Sequence, residues 1–180
     1  ESRGLGDVYK RQLWVRRGVE LHPVSPGGGQ QYGIRSGTQP VALACGFAAA
    51  LRACLDEFDA MTARYQSWRE RIIAWCRQQP EVAIDDAPLT SPSIIHISIA
   101  GTRGTDVVML ADRDGVDLSA GSACHAGVSR PSPTMLAMGR DEDAASSGLR
   151  ISIGYTTTDA DIDRLLAVLP AAILKASGAR

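Results

Sequence analysis

Apolar residues along this chain follow two rhythms. Through residues 40–77 they recur at helical spacing, first as Leu43, Phe47, Ala50, Leu51, Cys54 and Phe58. A second phase, Met61, Tyr65, Trp68, Ile72 and Trp75, predicts an apolar stripe on a helix of roughly five turns. Pro40 suits the start of this region, with Thr38 or Gln39 preceding its first turn. After Pro80 the rhythm changes. Residues 82–84, 94–99 and 116–118 read as short strands, and residues 149–153 alternate, with Leu149, Ile151 and Ile153 on one face and Arg150 and Ser152 on the other. Helices are predicted over 105–113, 133–138 and 159–174. In the last of these, Ile162, Leu165, Leu166, Leu169 and Ile173 make the apolar side. Thr158 with Asp161 three positions on is its N-terminal signature.

Upstream of the helical region, residues 13–16 read as a short apolar strand. Residues 22–29 form a Pro/Gly loop, and residues 33–38 a tight polar segment. Residues 1–12 have no clear periodicity, and their Gly4–Gln12 run resembles a translated sequencing adaptor. They are expected to be non-native, with native sequence resuming near Leu13. Residues 80–175 therefore read as an α/β unit, joined by helix to the tail of a different unit.

Composition narrows the function. The 180 residues suffice for a real core, and the net charge of -1 offers no basic stripe for nucleic acid. All the basic residues except Lys10 and Lys175 are arginines. Cys45, Cys54, Cys76 and Cys124 form no CxxC pair and predict neither a zinc site nor a disulfide framework, which points to a reducing, cytoplasmic compartment. No apolar run reaches membrane-spanning length.

Three places carry candidate chemistry. Cys124 sits in the run Ser119-Ala120-Gly121-Ser122-Ala123-Cys124-His125-Ala126-Gly127, flanked by almost no side-chain bulk. Hydroxyls and backbone N–H groups there can favour the nucleophilic thiolate. The same run also fits a tight turn holding an inert cysteine. Arg150 leaves the polar face of its strand, and a guanidinium grips a carboxylate in two-point fashion, although a surface arginine would look the same. The third place is Gly33-Ile34-Arg35-Ser36-Gly37-Thr38 before a helix, where free N–H groups, the Thr38 hydroxyl and the Arg35 charge suit a phosphate. Ordinary capping by Thr38 is the alternative there. His96, in an apolar strand, reads as structural or as lining a cleft. His125 diverges from Cys124 in an extended backbone, and His22 reads as loop surface.

Together these motifs give a resemblance. Leu13-Trp14-Val15-Arg16-Arg17, Gly27-Gly28-Gly29-Gln30-Gln31, Arg35-Ser36-Gly37-Thr38, the Gly-Ser-Ala-Cys run, Met135-Leu136-Ala137-Met138-Gly139 and Leu149-Arg150-Ile151-Ser152-Ile153-Gly154 stand in family order. The chain resembles the C-terminal half of a cysteine desulfurase of the NifS/IscS-like branch, among the class V aminotransferases. The resemblance implies an α/β fold, the C-terminal part of a pyridoxal-phosphate-dependent transferase fold (aspartate aminotransferase-like) with a small α/β domain. It divides the native chain into 13–40, the tail of the large cofactor-binding domain; 41–79, a long connecting helical region; 80–175, the small domain; and 176–180, a tail. It implies pyridoxal 5'-phosphate as cofactor, L-cysteine as substrate, a homodimer and a sulfur-acceptor protein such as an iron–sulfur scaffold. Neither nucleic acid nor a membrane is implied as a direct partner.

By the same resemblance Cys124, on a long mobile loop, accepts the sulfur, and Arg150 holds the substrate carboxylate. Thr38 reaches the cofactor phosphate of the partner subunit, and Arg35 belongs to the same motif. The family's cofactor lysine stands in a Ser-x-His-Lys motif just upstream of the segment matching residues 13–17. Its cofactor-stacking histidine and ring-binding aspartate are also expected upstream. Residues 1–12 contain no such motif, so the chain alone is expected to be inactive. A selenocysteine lyase-like class V enzyme and a non-catalytic sulfur-binding module are the competing readings.

Overall fold

The computed structural model describes residues 14–85, 90–121 and 131–178. Its helices and strands, in chain order, are α1 (Val41–Asp56), α2 (Phe58–Cys76), β1 (Val82–Ile84), β2 (Ile94–Ile99), α3 (Gly104–Arg113), β3 (Ser119–Ala120), α4 (Pro133–Ala137), α5 (Glu142–Ser146), β4 (Gly148–Ser152) and α6 (Asp159–Ser177). They fall into two compact units divided between Phe58 and Asp59.

The second unit is built on an antiparallel sheet of order β1-β2-β4-β3. Alternation along β2 and β4 sorts its faces. Ile95, Ile97, Ile99, Leu149 and Ile151 are buried on one side, while His96, Arg150 and Ser152 lie on the other. The buried face meets Tyr65, Trp68, Ile72, Ile73 and Cys76 of α2, Val107 and Ala111 of α3, and Ile162, Leu165, Leu169 and Ile173 of α6 in one core. The stripe expected on α2 thus packs with the sheet. This is why the second unit begins at Asp59 and not at residue 80, where the sequence rhythm changes. The Trp68 indole N–H donates to Asp159 Oδ1 at 2.6 Å, and Arg71 pairs with Asp163, so polar contacts also tie α2 to α6.

Gly104 opens α3 against the sheet. A Cβ there would lie 2.3 Å from the Gly148 carbonyl oxygen, so the helix reaches this depth only because residue 104 has no side chain. At the start of α6, the Thr158 hydroxyl accepts the Asp161 N–H while the Asp161 carboxylate accepts the Thr158 N–H, a reciprocal capping box. The Thr158 bonds hold the Asp161 carboxyl below its ordinary value of 3.8. A folded-state value lowered in this way stabilises the fold above the unfolded value, and the benefit is lost as pH falls through the folded one. Thr158→Ala is expected to cost about 1 kcal/mol at neutral pH. In urea titrations the gap between variant and parent should narrow as the solution is acidified below the ordinary carboxylate value; a constant gap would contradict the cap.

The first unit holds α1 and, ahead of it, a turn over Gln30–Gly33 in which Gln31 and Tyr32 take left-handed backbone geometry. The Pro/Gly loop is stitched to the segment before α1: Ser36 Oγ donates to Gly28 O at 3.0 Å and Gly37 N to Gln30 Oε1 at 3.2 Å. Gly27 is required at this crossing, since a Cβ on it would meet Ser36 Cβ at 2.7 Å.

Several local expectations give way. Residues 14–16 form no strand, and Trp14 is exposed, with no neighbouring strand to complete a ladder among the described residues. The helical region breaks at Glu57 into α1 and α2. Thr38 and Gln39 precede the first turn of α1 as expected, but Pro40 stands at its N-cap and no side chain caps it, so the alternative of ordinary capping by Thr38 is not met. The strand expected over 116–118 is displaced to Ser119–Ala120, because pairing with Leu149 and Arg150 selects those residues. α5 has no counterpart in the sequence pattern, since five residues carry too little periodicity; Asp141 starts the helix by accepting from Ala144 N at 2.8 Å.

Candidate functional site

The polar face of the sheet is built by register. His96 is the Cα partner of Arg150, and Arg150 is the Cα partner of Ser119. One row therefore crosses β2, β4 and β3 with an imidazole, a guanidinium and a hydroxyl. Arg150 is exposed, and its Nη2 donates to Ser119 Oγ at 3.2 Å. The guanidinium retains N–H groups for a carboxylate.

Beside this row lies a buried carboxylate, Asp85, only 3% exposed. Its Oδ2 is 3.0 Å from His96 Nδ1 and accepts the Ser98 hydroxyl at 2.6 Å. Arg140 Nη2 stands 2.5 Å from Oδ1 as an ion pair, out of line for a hydrogen bond. His96 is thus engaged by Asp85, and the Asp85 charge is offset by Arg140. Of the two readings given to His96, the structural one matches these contacts. Gly148 leaves room for the ring; a Cβ there would stand 2.9 Å from His96 Cε1.

Ser119 is half-buried, and Gly121, with φ +52°, ends the strand and leads into the segment bearing Cys124. Cys124 and His125 lie outside the described residues. The other cysteines differ in setting. Cys76 is buried in the core, and burial pushes its thiol up to about 11, so at neutral pH it is a protonated apolar side chain and not a nucleophile. Cys45 and Cys54 are exposed on α1.

Arg35 and Thr38 belong to the first unit, so the structure groups them apart from Arg150. Both are exposed, and Arg35 Nη1 donates to the carbonyl of Ser36 at 3.1 Å. The absence of a capping side chain at α1 leaves the Ala42 and Leu43 N–H groups uncapped, with the Thr38 hydroxyl close by in sequence. That donor set fits a phosphate. His22 is exposed in its loop. Among the described residues no cluster of three His, Cys, Asp or Glu side chains could hold a metal, and no helix is long and apolar enough to cross a membrane.

Sequence reasoning missed Ser119 as a partner of Arg150 and Asp85 as a buried anchor. Ser119 opens the motif that drew attention to Cys124, but its contact with a residue 31 positions away is a matter of strand register. Asp85 carries no local signal.

Comparison with known proteins follows the same lines. The model of the aminotransferase class-V family matches residues 11–165, opening two residues inside the segment expected to be non-native. An "IscS-like cysteine desulfurase" of Mycobacterium tuberculosis is 38% identical over 91% of this chain and 42% of its own length. The chain spans about two fifths of the length of such curated relatives. A NifS-like protein from Rickettsia africae shares the fold, with a TM-score of 0.71 over 86% of this chain and 40% of that one at 24% identity. A structure described as SspA in complex with cysteine matches 76% of this chain and 37% of its own, with a TM-score of 0.51 and 26% identity.

Proposed function

The chain belongs to the aminotransferase class-V family, and we propose that it is the C-terminal part of a cysteine desulfurase that converts L-cysteine to L-alanine and leaves the sulfur as a persulfide on Cys124. The observation that carries this reading is the strand register that sets Arg150 beside Ser119, five residues before Cys124. Covalent geometry then keeps the Cys124 backbone within about 18 Å of Ser119. Ser119, on the edge strand β3 beside the proposed carboxylate clamp on β4, thus lies a short stretch of sequence from the candidate nucleophile. The likeness to IscS-like desulfurases and to a cysteine-bound relative supports L-cysteine as the substrate.

The residues divide the work as follows. Arg150 takes the substrate carboxylate through two N–H groups and fixes the amino acid's orientation. The Cys124 thiolate attacks the substrate sulfur. An S–S bond forms as the substrate Cβ–S bond breaks, and the bonding pair remains with the carbon that becomes the alanine methyl after protonation. Thr38, the uncapped N–H groups of Ala42 and Leu43, and Arg35 would hold the phosphate of pyridoxal 5'-phosphate across a homodimer. That cofactor, when bound, supplies the electron sink for charge at the substrate Cα. A sulfur-acceptor protein, such as an iron–sulfur scaffold, would then collect the persulfide sulfur in the cytoplasm.

The 180-residue chain by itself is expected to release no alanine from cysteine. Of its two lysines, Lys175 is exposed near the end of α6, and Lys10 stands in no Ser-x-His-Lys motif. The whole protein, loaded with cofactor and given L-cysteine, should release alanine and gain one sulfur on the peptide containing Cys124 by mass spectrometry. Alanine release by the isolated chain would remove the first expectation. A whole enzyme whose added sulfur sits elsewhere would overturn the role of Cys124.

A further inference from the structure

We propose that Ser119 is a positioning residue for the substrate carboxylate, acting through Arg150. This inference rests on Arg150 as the carboxylate clamp. A guanidinium has five N–H groups arranged along its edges, and free rotation about its long stem would present any of them. Here Nη2 donates one to Ser119 Oγ. Nη2 carries two hydrogens, one on each of the two forks it shares with its neighbouring nitrogens. Whichever hydrogen Ser119 accepts, one fork remains whole for a carboxylate. The serine thus removes rotational freedom from Arg150 without consuming its two-point grip.

The surroundings leave this task to Ser119. On the other flank of Arg150 in the same row is His96, already engaged by Asp85. The Asp85 charge is paired with Arg140 and bonded by Ser98 and His96. Ser119 is half-buried and held by its pairing with β4, so its hydroxyl is a fixed point where a residue on a loop would not be. Because Ser119 stands one residue before Ala120 and two before Gly121, the group that aims the clamp also begins the segment that brings Cys124.

The test uses the whole cofactor-loaded enzyme with Ser119→Ala, Ser119→Thr, Ser119→Val and Arg150→Ala. Removing one hydrogen bond to a charged group is expected to raise KM for L-cysteine about 5-fold, with kcat little changed. Ser119→Thr keeps the hydroxyl and should restore the parent KM, whereas Ser119→Val, of the same shape, should behave like Ser119→Ala. This pair also separates loss of the hydroxyl from a failure to fold. On an Arg150→Ala background, Ser119→Ala should add nothing. If Arg150→Ala raises KM and Ser119→Ala and Ser119→Val do not, the positioning role is wrong while the clamp stands. If Arg150→Ala leaves KM unchanged, the clamp itself is wrong. A fall in kcat alone on loss of the hydroxyl would also overturn the proposal.

Discussion

Arg150→Lys is expected to lower kcat/KM for L-cysteine by about 100-fold in the whole enzyme, the loss of roughly 2.7 kcal/mol of binding to the reacting amino acid. The substitution keeps the positive charge, so a purely electrostatic role would be nearly preserved. What it removes is the planar fork. An ammonium offers point-charge contact, cannot meet both carboxylate oxygens in one plane and has no fixed edge for Ser119 to orient. Arg150 is exposed on the polar face and makes its bond to Ser119 from one nitrogen, so its loss should disturb the substrate more than the fold. The discriminating control is a substrate without the carboxylate, such as cysteamine. Parent and Arg150→Lys enzymes should handle it equally poorly. Unchanged kcat/KM with L-cysteine, or an equal loss with cysteamine, would show that Arg150 does not read the carboxylate.

Gly104→Ala should be the most damaging small substitution in the second unit, costing about 3 kcal/mol of stability, the upper part of the range for overpacking. The added methyl would stand 2.3 Å from the Gly148 carbonyl oxygen, 3.2 Å from its carbon and 3.3 Å from Ala120 Cβ. Two of these three atoms are backbone in the middle of the fold and cannot swing aside as a side-chain end would. Relief requires α3 to lift from β4, which opens the contacts of buried Val107 and Ala111 with the core. The effect should reach function as well, since β4 carries Arg150 and β3 leads to Cys124. Urea unfolding of Gly104→Ala beside Thr105→Ala, an exposed neighbour, provides the measurement. The neighbour should change stability by no more than about 0.5 kcal/mol; a Gly104→Ala effect equally small would mean that helix and sheet are not in contact at this depth.

What sequence alone determined is whatever repeats locally. β4 announced itself because Leu149, Ile151 and Ile153 alternate with Arg150 and Ser152, and a strand's period of two leaves no other assignment of faces. The stripe on α2 and the Thr158–Asp161 cap of α6 were legible for the same reason: their partners lie within one or a few turns. The fold class followed from these rhythms together with ordered motifs, and the family match agrees with it. Cys124 and Arg150 stood out by chemistry and company, not by any contact.

Tertiary structure decided what depends on distant neighbours. β3 has two residues, too few to show a period, and exists at Ser119–Ala120 because β4 pairs with it there. Asp85 became an anchor only when β2 and the residue preceding α5 by two positions, Arg140, were brought against it. The long helical stretch was assigned to its proper unit by where α2 buries its stripe, a fact about the sheet it covers. Periodicity records which face of an element is apolar, but the element's register, depth and partners are set by the free energy of packing it against chain that lies far away in sequence.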